Sequence, residues 1–173
     1  MCKRVFDYIV RIIKIIYCYF VHPKYEPQNW NDAGTTQLCN NCYNYACNII
    51  TNNYAQPGHA SGNIYSSINC QEVAEGAISD GLLPVADEEK CKLCSHKVAL
   101  VIDPDSPVDF HWYRLDKEGN WSHKPGQWSV TNLDNSGNII SDPRTADRGR
   151  YSVFCGFFCV PKGTVTISGF GCY

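Results

Sequence analysis

DFHWYRLDKEGNWSHKPG, residues 109–126, reads as a β-hairpin. Phe110 to Leu115 is aromatic and apolar enough for a strand, Lys117-Glu118-Gly119-Asn120 is turn chemistry, and Trp121 opens the second arm. Two of the five histidines, His111 and His123, stand one on each arm. Cross-strand neighbours on one face lie within side-chain reach, so the hairpin offers two imidazoles on a common platform. Such a platform needs a third group to become a chemical site, and the best candidate lies upstream at Cys42.

Outward from the hairpin, Lys97 to Asp103 reads as a buried strand that enters it through the Pro-rich turn 104–107. Downstream, Ser129 to Leu133 suits a strand, Asp134-Asn135-Ser136-Gly137 a turn, and 142–150 a charged loop. Tyr151 to Val160 is the most strand-like run, and Thr164 to Ser168 is expected to pair with it across Pro161-Lys162-Gly163. Upstream, Asn40 or Asn41 can cap a short helix through Ala46 and Ile50. Asn69 can cap a second helix, Cys70 to Ser79, with Val73, Ala74, Ala77 and Ile78 on its apolar face and Asp80-Gly81 past its end. Residues 22–38 look like a linker, and a loop rich in Gly and Ser runs from Gln56 to about Ser67. Two helices followed by five or six strands predict an α+β domain with an antiparallel sheet over residues 22–173.

The composition agrees. At 173 residues, 44% hydrophobic and 18% charged, the chain can bury a core as one domain. Eleven Tyr and four Trp against one Met favour strands. A net charge of −2 without a basic stripe excludes a nucleic-acid binder. The glycines at 58 and 62 form no phosphate loop, and no cofactor is expected. Residues 1–21 are a distinct, basic, amphipathic segment, with Ile9, Ile12, Ile13 and Ile16 at helical spacing and Arg4, Arg11 and Lys14 among the polar positions. Charge interrupts the run too often for a spanning helix. It suits peripheral membrane contact, a poor signal sequence, or a helix packed on the domain.

Eleven cysteines leave at least one unpaired. Without Cys42, Cys2 and Cys18 eight remain, an even number that fits a disulfide-linked secreted protein or a set of reduced thiols. Disulfides Cys91–Cys94 or Cys155–Cys159 would clip loops. The pairs Cys39-x2-Cys42 and Cys91-x2-Cys94, with His96 as a substitute, are an alternative zinc ligand set, although their separation exceeds the usual ribbon. A secreted or membrane-associated location is favoured over the cytoplasm.

The chemistry points to a thiol hydrolase. Cys42 stands at a helix start, where the dipole and an imidazolium would both favour thiolate. His111 would be the base, and His123, twelve residues later, would orient it. The Cys42 backbone N–H, with Gln37 or Asn41, would bind the oxyanion. This order of residues from Leu38 to His123 resembles the papain-like superfamily, and its His-to-His spacing resembles the NlpC-type branch of cell-wall amidases and peptidases. HWYRLDKEGNWSHKPG with the later DPRTADRG also resembles an uncharacterised bacterial family. Two features depart from the NlpC pattern: Asn41 stands where aspartate is usual, and Phe110, Trp112 and Tyr113 replace a glycine-rich run. The resemblance implies a papain-like fold and hydrolysis of an amide bond through a thioester, as a peptidase, amidase or glutamine deamidase with an effector or lytic role. Its substrate would be a peptide, protein or peptidoglycan-type amide. In the papain branch the third member would instead be Asn132 or Asp134. The alternative reading is a non-enzymatic binding or interaction protein stabilised by zinc or disulfides.

Overall fold

Residues 2–20, 22–92 and 94–172 are described by a computed structural model; in the first helix, side chains are described for residues 5–13 and 18. Met1 and Val21 of the N-terminal segment lie outside the described residues.

Strand β3 (Ser95–Asp103) is the centre of the molecule. It pairs antiparallel with β4 (Asp109–Leu115) on one side and β6 (Val153–Pro161) on the other. The edges are β5 (Trp121–His123) against β4 and β2 (Leu83–Val85) against β6, giving the order β2-β6-β3-β4-β5. A second, two-stranded sheet joins β1 (Asn53–Ala55) to β7 (Gly169–Gly171). Among the described residues four α-helices, α1 (Cys2–Phe20), α2 (Thr35–Cys39), α3 (Cys42–Cys47) and α4 (Cys70–Ser79), and a short 3-10 turn at Pro27–Asn29 complete the element list. The α+β class is as the sequence implies.

Alternation along β3 sorts the core into two layers. Val98, Leu100 and Ile102 join Phe110, Trp112 and Phe158 beneath α3 and α4, which contribute Ala46, Val73 and Ala77. Ala99 and Val101 join Tyr113, Trp121 and Phe157 on the other face, closed by Ile140, Ala146 and Tyr151 from the long 124–152 connection. A β-bulge keeps both layers filled. The register of β6 skips Cys155 between Gly156 and Phe154, and Gly156 has φ +140°, where a side chain is strained. The bulge reverses the alternation, so Phe154 and Phe157 reach the same layer while Cys155 turns to the helices and bonds Cys70.

Four disulfides join distant segments: Cys18–Cys94, Cys39–Cys172, Cys70–Cys155 and Cys91–Cys159. The loop clips Cys91–Cys94 and Cys155–Cys159 are therefore corrected. Each of these residues bonds a partner at least 68 positions away, so the disulfides tie elements together.

The hairpin, its turn and the Asn69-capped helix form where the sequence places them. Three local expectations do not hold. Segment 22–38 is not all linker: Asp32 accepts the N–H groups of Gly34, Thr36 and Gln37 and so starts α2. Ser129–Leu133 and Asn138–Ser141 form only the isolated bridges His123↔Thr131 and Leu133↔Ile139, too short to count as strands. Thr164–Ser168 does not pair with β6; the chain continues to β7, where a Cβ on Gly169 would collide with the Tyr54 carbonyl. Within α1, Phe6, Ile9 and Ile13 are exposed, and Cys18 fixes the helix to the domain. Among the described residues no helix is long and apolar enough to cross a membrane.

Candidate functional site

Asn41 ends an extended segment and caps α3. Its Oδ1 accepts from the N–H groups of Tyr43 and Asn44 at 3.0 and 3.2 Å, and Asn44 Oδ1 accepts from the Asn41 N–H at 3.1 Å. This reciprocal box places Cys42 as the first helical residue, as the sequence implies. The Asn41 amide also donates to the Ala55 carbonyl at 2.8 Å, so the side chain is occupied in holding β1 to α3. Cys42 itself is buried, 5% exposed, in the layer of Phe110 and Trp112. Burial pushes its thiol up to about 12, and the nearby Asp109 carboxylate adds to this; the Trp112 N–H and the Lys124 ammonium only partly oppose it. A helix of six residues has too small a dipole to reverse that balance.

His111 and His123 do meet. His111 Nε2 lies 2.7 Å from His123 Nδ1, and His123 Nε2 lies 3.1 Å from the Leu133 carbonyl. The carbonyl only accepts, so the His123 proton sits on Nε2 and its Nδ1 must accept from His111 Nε2–H. The His123 ring is therefore neutral in this arrangement. Burial holds the pKa of His111 well below its ordinary value, with the charge of His123 adding to the effect, and burial lowers His123 as well. Tyr113 stacks on His123 at 4.9 Å between ring centroids, and Tyr151 lies against His111 at 5.1 Å.

The three residues divide between two layers. His111 alternates with Phe110 and Trp112 along β4 and so leaves the strand on the side of Tyr113, while α3 covers the side of Trp112. Among the described residues no hydrogen bond joins the Cys42 thiol to either imidazole, and burial disfavours the Cys42 thiolate. Of the two oxyanion candidates, Asn41 spends an amide N–H on the Ala55 carbonyl. Gln37 Oε1 accepts from the Ala33 N–H at 3.3 Å, and Asn41 caps its helix. Of the alternative third members, Asn132 serves through its carbonyl, which accepts from the Ile140 N–H, and Asp134 accepts the N–H groups of Ser136, Asn138 and Asp147 in its turn.

The alternative zinc set is taken apart by covalent bonds. Cys39, Cys91 and Cys94 bond Cys172, Cys159 and Cys18, leaving Cys42 a buried thiol. His96 Nε2 donates to the Ala46 carbonyl at 2.7 Å, and burial lowers its pKa to about 3. Among the described residues no three His, Cys, Asp or Glu side chains are grouped to hold a metal.

Sequence reasoning missed the most connected polar cluster. Arg114, 1% exposed, pairs with Asp116 at 2.8 Å, donates to the carbonyls of Lys24 and Tyr45, and lies 3.9 Å from the centroid of the Tyr45 ring. Tyr45 Oη and Ser122 Oγ are 2.7 Å apart, and Ser122 donates to Asp116. Burial raises the Asp116 carboxyl against the pull of Arg114 and Ser122. The signal was available: Phe110 and Trp112 set the core face of β4, and two residues on the same face comes Arg114, which there requires partners. Lys124, also fully buried, donates Nζ to the carbonyls of Gln37 and Gly126 at 2.5 and 2.6 Å, and burial lowers it to about 8.

No family model and no solved structure matches the chain. One relative does: insoluble matrix shell protein 1 of Ruditapes philippinarum is 47% identical over 143 residues, which cover 82% of this chain and 93% of that protein. The relationship corrects the papain-like, NlpC-type assignment and with it the Cys-His-His peptidase, amidase or deamidase and its peptide or peptidoglycan-type amide substrate. The resemblance rested on residue order and one His-to-His spacing, whereas this identity runs through most of both chains. The chain belongs to the family of insoluble matrix shell protein 1.

Proposed function

We propose that the chain is a secreted structural protein of an extracellular matrix, a single domain over residues 22–173 with α1 attached to it, and without a catalytic role. The relationship to a protein described as an insoluble matrix shell protein carries this reading. Two physical observations support it. Four disulfides belong to an oxidising compartment, and each closes a loop of 68 residues or more. The residues with catalytic chemistry are used as structural parts: Asn41 as a cap, the His111–His123 pair as an internal hydrogen bond, Cys42 as core. Antibodies raised against the recombinant chain test the proposal on sequential extracts of the source tissue's extracellular matrix. The chain should stay in the residue left by neutral buffer and come away with denaturant plus a thiol reductant. Recovery of all of it in the first soluble extract, or inside cells, overturns the proposal.

A further inference from the structure

A cavity of about 250 Å³ lies where the end of α3 meets the start of β3. The hydrogen bond from His96 Nε2 to the Ala46 carbonyl fastens these two ends together. Cys47 follows Ala46, and Cys94 precedes His96 by two residues, so both approach the cavity from the clamp. Its walls include the Cys18–Cys94 disulfide, the unbonded Cys47 and His22. His22 Nδ1 is buried and has no hydrogen-bond partner among the described residues.

We propose that Cys47 is a resident exchange thiol for the Cys18–Cys94 disulfide, able to replace Cys18 as the partner of Cys94. In the step, the Cys47 thiol, hydrogen-bonded to Tyr43 in the closed fold, gives up its proton and its sulfur attacks Cys94 Sγ. The Cys18–Cys94 bond breaks, a Cys47–Cys94 bond forms, and Cys18 leaves as a thiolate that recovers the proton. One disulfide and one thiol are present before and after, so no oxidant or reductant is consumed. The consequence is mechanical. Before exchange, α1 is bonded to the domain; afterwards α3 is bonded to the start of β3, and α1 carries a free thiol. Burial holds the Cys47 thiol well above its ordinary pKa, which makes the exchange slow in the closed fold.

Two experiments on the whole chain, made in an oxidising compartment, decide the matter. In Cys18→Ser, peptide mapping after acid quench should show a Cys47–Cys94 linkage, with Cys42 alone of the two buried thiols alkylated on denaturation. In Cys18→Ser with Cys47→Ala, Cys94 should become alkylatable. A Cys94 that is free, bonded to Cys42 or capped by a small thiol in Cys18→Ser overturns the proposal. The wild-type chain gives the second readout, should the variant fold poorly. Folded protein held for a day with iodoacetamide and no oxidant should accumulate alkylated Cys18 together with the Cys47–Cys94 linkage. Cys18 that stays protected under those conditions overturns the proposal.

Discussion

The two faces of the five-stranded sheet are buried to similar depth by different means. On one, regular elements do the covering: Ala46 of α3 and Val73 and Ala77 of α4 pack on Leu100, Trp112 and Phe158, and the Cys70–Cys155 bond fixes α4 to the sheet. On the other, residues 124–152 cover Tyr113, Trp121 and Phe157 without forming a helix or a full strand. That connection is shaped by side chains bonding to backbone. Arg148 donates to the carbonyls of Pro143, Arg144, Tyr151 and Ser152, and Asp134 collects three N–H groups. The difference teaches that burial of polar groups here has two sources. Helix packing brings in Cys42 and Arg114, and loop closure brings in His111 and His123. Residues that look like one constellation in sequence are thus drawn into burial with different layers of the core.

Cutting the covalent tie should show how far the helical face depends on it. The Cys70–Cys155 bond closes a loop of 85 residues, for which chain entropy gives about 4–5 kcal/mol. Cys70→Ala with Cys155→Ala should therefore lower the unfolding free energy in urea by about that amount. A loss below about 1 kcal/mol would mean that packing alone holds α4.

Acid should weaken both faces together. His96 on the helical side has its folded pKa lowered to about 3, and His111 on the loop side lies well below 6.5. A histidine with a depressed folded pKa binds its proton more readily in the unfolded chain. Stability is then intact above about pH 6.5 and falls as pH drops from there toward the folded pKa. Between pH 7 and 5 each imidazole that stays neutral removes about 2 kcal/mol, so the two together should cost about 4 kcal/mol. His111→Gln should lower the slope of stability against pH in that window and leave the parts due to His96 and His123. A flat profile from pH 7 to 5 would mean that the buried rings are already solvated or charged.

Arg148→Ala tests the loop face alone. Four carbonyls lose their donor, and with two of these bonds part-buried and two exposed the loss should be about 1–2 kcal/mol. The loss should appear as faster hydrogen exchange over residues 143–152 with α4 unchanged. Equal effects on both faces would show that the layers unfold as one.

How much of this was legible depended on whether a signal was local. Asn69 and Asn41 announce helix starts because capping is decided within four residues, and Lys117–Asn120 announces its turn for the same reason. The short strands β1 and β2 were not legible, because each exists only by pairing with a distant partner, β7 or β6. The disulfide partners were hidden too, since the bulge that turns Cys155 toward Cys70 is a tertiary feature. In the candidate site, the meeting of His111 and His123 could be read from the hairpin. The separation of His111 from the layer that holds Cys42 could have been read as well, by giving Phe110 and Trp112 to that core face and His111 to the other.

The smallest expected effect is the most direct test of that separation. At pH 7 a thiol with pKa about 12 is ionised to about one part in 10⁵, against about 3% for an ordinary cysteine near 8.5. Burial also denies reagents access, so iodoacetamide should label Cys42 in the folded chain at least about 1,000-fold more slowly than a free thiol. If the sheet separates the two layers, removing either imidazole leaves that rate where it was. His111→Gln and His123→Gln should each change Cys42 labelling by less than about two-fold, once the contribution of global opening is subtracted using the measured unfolding free energy. Trp112, on the same side as Cys42, is the positive control: Trp112→Phe keeps the backbone N–H given to the thiol but should raise the labelling rate by loosening the cover over it. A wild-type Cys42 that reacts fast at pH 6, and slows in His111→Gln, would show that the two faces are joined chemically.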